Sequence, residues 1–249
     1  MKIDGARVLL TGASRGIGAA LAEALRAKGA VVQTVARTGE GVDHHVDLSD
    51  LAGLPALIEQ VGPVDILINN AGVSNVGWYG DRTMDELDQV MTVNLLAPMH
   101  LSRLVLPGML ERGRGHIVSL SSMAAVFNPP GLAAYGASKA GLSHFMAGLR
   151  ADYRDDPIAF TTVTLASVST DMDDEARSYE PLRTLAEKSK GRDITPMEVL
   201  INAVVEAIEK DKPEVRVPAS MAPLAMLTNA PRKVGRLVFK RSVARQTRD

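Results

Sequence analysis

Tyr135 and Lys139 stand four residues apart in the stretch Tyr135-Gly136-Ala137-Ser138-Lys139. On a helix that spacing sets a phenol and an ammonium on one face, about a turn apart. A free tyrosine titrates near about 10 and is a poor proton donor or acceptor at neutral pH. A neighbouring ammonium stabilises the phenolate and draws that value down. So tuned, Tyr135 can protonate a carbonyl oxygen or take a proton from an alcohol. The pair alone also fits an ordinary exposed helix. Its meaning depends on the elements that position it.

The chain opens with an apolar run over residues 7–10, then Thr11-Gly12-Ala13-Ser14-Arg15-Gly16-Ile17-Gly18. The spacing of Ile17, Leu21 and Leu25 predicts a helix over 19–28, ended by Gly29. A second buried strand follows over 31–36. Strand, glycine loop, helix and strand make the first half of a dinucleotide-binding fold. The glycines permit a tight turn and let backbone N–H groups approach a pyrophosphate at the positive end of the helix.

The loop reads T-G-x-x-x-G-x-G, and with Asn69-Asn70-Ala71-Gly72 and the Tyr135/Lys139 pair in the same order the chain resembles the short-chain dehydrogenase/reductase family, in its short form. The resemblance covers about residues 7–172. It implies one α/β domain over 1–219, a Rossmann-like doubly wound sheet of about seven parallel strands flanked by helices. It also implies a catalytic tetrad of Asn94, Ser122, Tyr135 and Lys139. Ser122 is chosen over Ser121 because it lies thirteen residues before Tyr135, the family's spacing. Asn94 stands inside a helical pattern over 84–110 with a break expected near Pro98, and an asparagine there costs helix propensity. Along the cofactor the resemblance sets Gly12, Ser14, Arg15, Gly16, Ile17 and Gly18 of the loop, Arg37, Asp47 and Leu48, then Asn70, Ala71 and Gly72, with Tyr135, Lys139 and Thr170 toward the nicotinamide.

Charge argues for the form of the cofactor. An acidic residue ending the second strand would hold the adenosine ribose of NAD. Ala36 stands there, followed by Arg37, and Arg15 precedes the second motif glycine. Two guanidinium groups suit a 2′-phosphate, so the expected cofactor is NADP(H). Two solvated surface arginines are the alternative. Asp47, set against the adenine by the resemblance, is alternatively a turn or N-cap aspartate, a role that Ser49 and Asp50 supply equally well.

Further strands are expected over 42–46, 64–68, 115–120, 159–165 and 215–217, and helices over 51–61 and from 195. In the last of these Thr195 is the expected cap and Pro196 the first helical residue. After 159–165 the family often has Pro-Gly, whereas this chain has Ala166-Ser167. Residues 171–192 are polar and read as a flap over the substrate or as plain surface helix. Trp78 and Tyr79 line a substrate mouth or pack at the surface. Met123, Phe127, Met172 and Tyr179 suggest an apolar pocket. The small residues of 133–141 suit close packing, either within the chain or in a homodimer or homotetramer. Residues 220–249 form a basic extension, with Arg232, Lys233, Arg236, Lys240, Arg241, Arg245 and Arg248. It reads as a frayed helix or as one lying on an anionic membrane surface.

The 249 residues carry a net charge of −1 and no cysteine. Bulk charge gives no reason to expect a nucleic-acid partner, and the composition excludes disulfides and thiol nucleophiles. His44 and His45 are adjacent and on a strand face opposite ways, so no metal site is expected. No signal-peptide apolar region or membrane-length run is seen, and a cytoplasmic location is the expectation. The activity expected is interconversion of an apolar ketone or aldehyde with its alcohol, with Tyr135 as acid or base and Ser122 on the substrate oxygen. A non-catalytic NADP-binding regulator and a membrane-surface protein are the rivals.

Overall fold

Side chains alternate between the two faces of a strand, and in a parallel sheet both faces must be covered. The strand β1 (Arg7–Thr11) shows this directly. Val8 and Leu10 face one core and Leu9 the other. The computed structural model describes residues 1–189 and 194–219. Among them run α1 (Gly16–Ala27), β2 (Val31–Ala36), β3 (His44–His45), α2 (Leu54–Val61), β4 (Ile66–Asn69), α3 (Met84–Met91), α4 (Ala97–Glu111) and β5 (Gly115–Ser122). Then come α5 (Ala133–Asp152), β6 (Ile158–Leu165), β7 (Ser167–Val168), α6 (Asp171–Ser178), α7 (Glu180–Ser189), β8 (Ile194–Thr195), α8 (Met197–Glu209) and β9 (Glu214–Val217).

The main sheet has the order β3-β2-β1-β4-β5-β6-β9, all parallel. On one face α1 and α8 bury Leu21, Leu25, Leu200 and Val204 against Ile66, Ile68 and Val163. On the other, α2, α4 and α5 bury Leu57, Leu101, Met109 and Met146 against Leu67, Ile117 and Phe160. This is a single doubly wound domain. The strand order reverses between β1 and β4, and in such sheets a crevice opens at the carboxyl ends of the strands on either side of the reversal. Gly12 follows one of these ends and Asn70 the other.

The opposite end of the sheet is pinned by a buried carboxylate. Arg7 donates from Nε and Nη2 to Asp65 at 3.1 Å each, and Arg114 approaches at 3.4 Å. Burial pushes the Asp65 carboxyl up, but these hydrogen bonds and charges outweigh it and hold it below the usual range. A buried carboxylate survives only when paired in this way.

The helical stretch after Met84 breaks earlier than its proline suggested. Residues Thr92–Leu96 form a π-helical turn, and Pro98 sits without strain in the first turn of α4. The third strand is two residues long rather than five, and His44, half-buried, meets Gln33 at 2.6 Å while His45 is exposed. Thr195 is not the cap of the last helix. It lies in β8, and Pro196 takes the cap position with extended backbone. No described helix is long and apolar enough to cross a membrane, and the described residues contain no cluster suited to a metal. The basic extension over 220–249 lies outside the described residues.

Candidate active site

The glycine loop is bound to the start of the crevice by Thr11 and Asn70. Asn70 Nδ2 donates to the carbonyls of Thr11 and Gly12, both at 2.9 Å. Thr11 Oγ1 accepts from the N–H groups of Asn70 and Ala71, each at 3.1 Å. Each motif glycine answers a specific crowding. Gly12 has φ +67, and a Cβ there would lie 2.7 Å from Ala71 Cα. A Cβ on Gly18 would overlap the Gly12 carbonyl oxygen, so α1 can start this close to the loop only with glycine. Gly16 has φ +55 and faces the Thr170 methyl, where a Cβ would come within 3.3 Å. Ser14 and Arg15 are exposed and Ile17 is half-buried. Gly39, after β2, folds onto Ser14, which brings the segment bearing Arg37 over the loop.

Arg37 is exposed, and its charge helps to lower the Asp47 carboxyl, whose larger stabiliser is the Ser49 N–H at 2.9 Å. Asp47 therefore shapes a turn with one oxygen, while Asp50 caps the short helical turn after it through the Ala52 N–H at 3.1 Å. Leu48 is buried.

The four candidate catalytic residues come from β5, α5 and the π turn. Ser121 and Ser122 end β5 with their hydroxyls separately engaged. Ser121 is buried and bonds Ser143 at 2.7 Å and the Lys139 carbonyl at 3.1 Å. Ser122 turns the other way, accepts from Ala124 N–H at 3.1 Å and faces the Tyr135 phenol. Lys139 is buried; its Nζ donates to the Leu120 carbonyl at 2.9 Å and lies 5.9 Å from the Tyr135 ring centre. Asn94 is fully buried, and its amide is spent on structure. It accepts from Val73 N–H at 2.9 Å and donates to the Val73 carbonyl at 2.8 Å and to Ser138 Oγ at 3.0 Å. Ser138 Oγ in turn donates to the Tyr135 carbonyl at 2.7 Å. A Cβ on Gly72 would stand 3.2 Å from Asn94 Oδ1 and 3.5 Å from Lys139 Nζ. Gly72 therefore links the end of the Asn69–Gly72 stretch to the lysine. Ser138 and Thr11 also position the site; Thr11 opens the glycine motif without a role of its own in the sequence, and the only signal for Ser138 there is a small hydroxyl beside Lys139.

The expected lowering of the Tyr135 pKa is corrected here. Burial pushes the phenol up, against the opposing pull of Ser122. Burial also pushes the Lys139 ammonium down, to about 8. Taking either charge out of water costs free energy, and Lys139 Nζ is directed to Leu120 rather than to the phenol oxygen. Near neutral pH Tyr135 is a neutral proton donor beside a cation. The kcat/KM of any reaction that draws the Tyr135 proton and needs this cation falls above pH about 8, toward tenfold per unit, as Lys139 loses its proton while Tyr135 keeps its own. A profile flat to pH 10 would contradict this. Stability moves the opposite way. Between pH about 8 and 10.5 the unfolded chain holds more of this proton, so the Lys139 contribution to stability rises with pH.

The polar stretch after β7 forms two helices, α6 and α7, across the mouth of the crevice. Its base is a second small sheet in which Ser167 pairs with Ile194 and Val168 with Thr195. Ala166 N–H donates to the Val217 carbonyl at 2.9 Å, a bond that a proline at 166 would forfeit. The departure from the family's Pro-Gly thus exchanges a rigid turn for sheet hydrogen bonds. Thr170 caps α6. Asp171 pairs with Arg15 at 2.9 Å, and Glu175 meets Ser74 at 3.4 Å. Trp78 is 46% exposed and sets its edge against Tyr179, with ring centres 6.4 Å apart.

The short chain dehydrogenase family model matches residues 6–181. The chain belongs to this family. It is an oxidoreductase of the short-chain dehydrogenase/reductase type. It is 34% identical over 86% of its length to the ketoacyl reductase HetN of Nostoc sp., covering 79% of that protein. With the 3-oxoacyl-[acyl-carrier-protein] reductase FabG of Vibrio cholerae it shares 31% identity over 80% of its length and 88% of the relative's. A crystal structure of a short chain dehydrogenase from Burkholderia cenocepacia in complex with NADP matches with a TM-score of 0.80 at 25% identity. That match covers 96% of this chain and 99% of the other.

Proposed function

We propose that this short-chain dehydrogenase/reductase uses NADP(H) to interconvert an apolar ketone or aldehyde with its alcohol. The observation that carries this reading is a phenol that keeps its proton, bonded to the Ser122 hydroxyl and overlain by the Lys139 ammonium, which itself lies against Gly72 at the crevice that the glycine loop borders. The cradle fits a dinucleotide. Gly12 and Gly18 leave no room for a Cβ, and the start of α1 offers N–H groups at its positive end. Arg15 and Arg37, with Ser14 beneath Gly39, suit a 2′-phosphate. Asp47, Leu48, Asn70, Ala71 and Thr170 border the rest. Bound NADPH supplies the hydride.

The residues supply the remainder. Ser122 holds the carbonyl oxygen as charge builds on it. Tyr135 delivers the proton to that oxygen. Lys139 stabilises the phenolate left behind and is held in place by Leu120. Asn94 fixes the Val73 backbone and, through Ser138, the first turn of α5. The Burkholderia neighbour's NADP and the ketoacyl and 3-oxoacyl substrates in the relatives' names support the cofactor and an apolar acyl or related ketone. All four tetrad side chains are present, which favours an enzyme over a cofactor-binding regulator. Assembly as a homodimer or homotetramer belongs to the same reading. Gly136 and Gly141 themselves face inward, against the Ala124–Asn128 segment and Leu95.

The test is NADPH consumption against a panel of ketones, with the cofactor assignment read from Arg37→Ala. Loss of charge-assisted bonds to a phosphate weakens NADPH binding about 10- to 100-fold and leaves NADH binding within about twofold. Equal loss for both cofactors, or none for either, would count against the 2′-phosphate site.

A further inference from the structure

We propose that Tyr179 is the specificity residue of the substrate cleft. Its phenol donates a hydrogen bond to a second acceptor oxygen of the substrate, away from the carbonyl being reduced. Ketones bearing an ester, thioester or further carbonyl oxygen are then preferred over plain ketones of equal size. This rests on the reading just given.

Tyr179 sits in extended backbone where α6 ends and α7 begins. At the other end of α6, Thr170 and Asp171 touch Gly16 and Arg15 on the cofactor side. Eight helical residues span about 12 Å, which sets Tyr179 at the far, substrate end. There its ring lies on Gly131, where a Cβ would come within 2.5 Å of Cε1 and 3.2 Å of Cζ. Gly131 has φ +82 and precedes Tyr135 by four residues. The Gly77 N–H donates to the Gly131 carbonyl at 3.0 Å, which ties the Trp78 loop to the same point. Trp78 completes the contact from the edge. Tyr179 therefore packs on the turn that leads into α5, four residues before the candidate proton donor in sequence.

Its hydroxyl is buried and has no hydrogen-bond partner. Such a group costs free energy unless something completes it. Burial and the charge of Asp81 both push the phenol up, so it keeps its proton and acts as a donor. The ring is held by Trp78 and Gly131 with the Asp81 charge nearby, and its hydroxyl is a placed donor of the kind that fixes orientation in small-molecule sites. A site built to bond a substrate oxygen discriminates against analogues that lack it.

The experiment uses the full chain with NADPH and two substrates, ethyl 3-oxohexanoate and a plain ketone of similar length. The quantity read is the ratio of kcat/KM for the keto ester to that for the ketone. Tyr179→Phe keeps the ring on Gly131 and lowers this ratio about 3- to 10-fold, chiefly through KM for the ester. Its melting temperature without substrate is equal to or above wild type, since a buried unpartnered hydroxyl is removed. An unchanged ratio, or a melting temperature several degrees lower, would overturn the proposal. Failure of the underlying reading is distinguishable: wild type would then consume no NADPH with either substrate, or Tyr135→Phe would match it.

Discussion

Tyr135→Phe lowers kcat/KM for carbonyl reduction by about 10²- to 10⁴-fold, the range for losing a positioned general acid. Cofactor affinity stays within a few-fold of wild type, and the melting temperature is little changed. The ring that Lys139 overlies at 5.9 Å remains, and so do the Lys139 bond to Leu120 and the Ser122 bond to Ala124. The hydroxyl is gone, and with it the proton and the bond to Ser122. Ser122 still donates to the substrate oxygen, so a residual rate survives from positioning and hydrogen bonding alone. Steady-state kinetics with an NADPH titration separates these effects. A loss confined to KM would move Tyr135 from proton donor to simple binding group.

Gly18→Ala acts on the other half of the site. The added Cβ overlaps the Gly12 carbonyl oxygen and comes within 2.7 Å of Asn70 Nδ2. Neither is the free end of a flexible chain. The carbonyl is backbone, and the amide is held by its bonds to Thr11 and Gly12. The start of α1 must therefore back away from the loop. Overpacking of this kind costs about 1–3 kcal/mol, which corresponds to about 10- to 100-fold in cofactor binding if the strain falls on the binding-competent loop. Gly148→Ala is the control. Nothing lies within 4 Å of its Cβ, and inside α5 alanine is favoured over glycine. Titration of NADPH by protein fluorescence, with thermal melts on each variant, reads both. Equal affinities for Gly18→Ala and Gly148→Ala would remove the glycine loop from the site.

Much of this site can be read from residue type and order. Parallel strands buried on both faces are continuous apolar runs, so β1, β2, β5 and β6 stand out without a structure. Thr11 to Gly18 lies between a strand and a helix, where its glycines have one dominant use. Other features depend on tertiary contacts that spacing does not encode. The π turn at Thr92–Leu96 accompanies Asn94 reaching sideways to Val73 and Ser138. The direction of the Tyr135 shift is decided by burial, whereas helical spacing reports only that Lys139 is near. β7 and β8 are two residues each, too short for any period to show, and they exist because Ser167 and Ile194 find one another across the α6–α7 excursion. The stacking of Tyr179 on Gly131 joins residues 48 apart in sequence, and no local pattern announces it.

In the proposed reaction Tyr135 gives its proton to the carbonyl oxygen, and the carbonyl carbon takes the hydride that a bound NADPH would supply. NADPH labelled with deuterium at the transferring C4 position tests it most directly, by mass and NMR analysis of the alcohol formed. One deuterium on the carbinol carbon is expected for each NADPH consumed, at a rate that collapses in Tyr135→Phe. Alcohol formed without deuterium at that carbon, or with label at the same rate in both proteins, would contradict it.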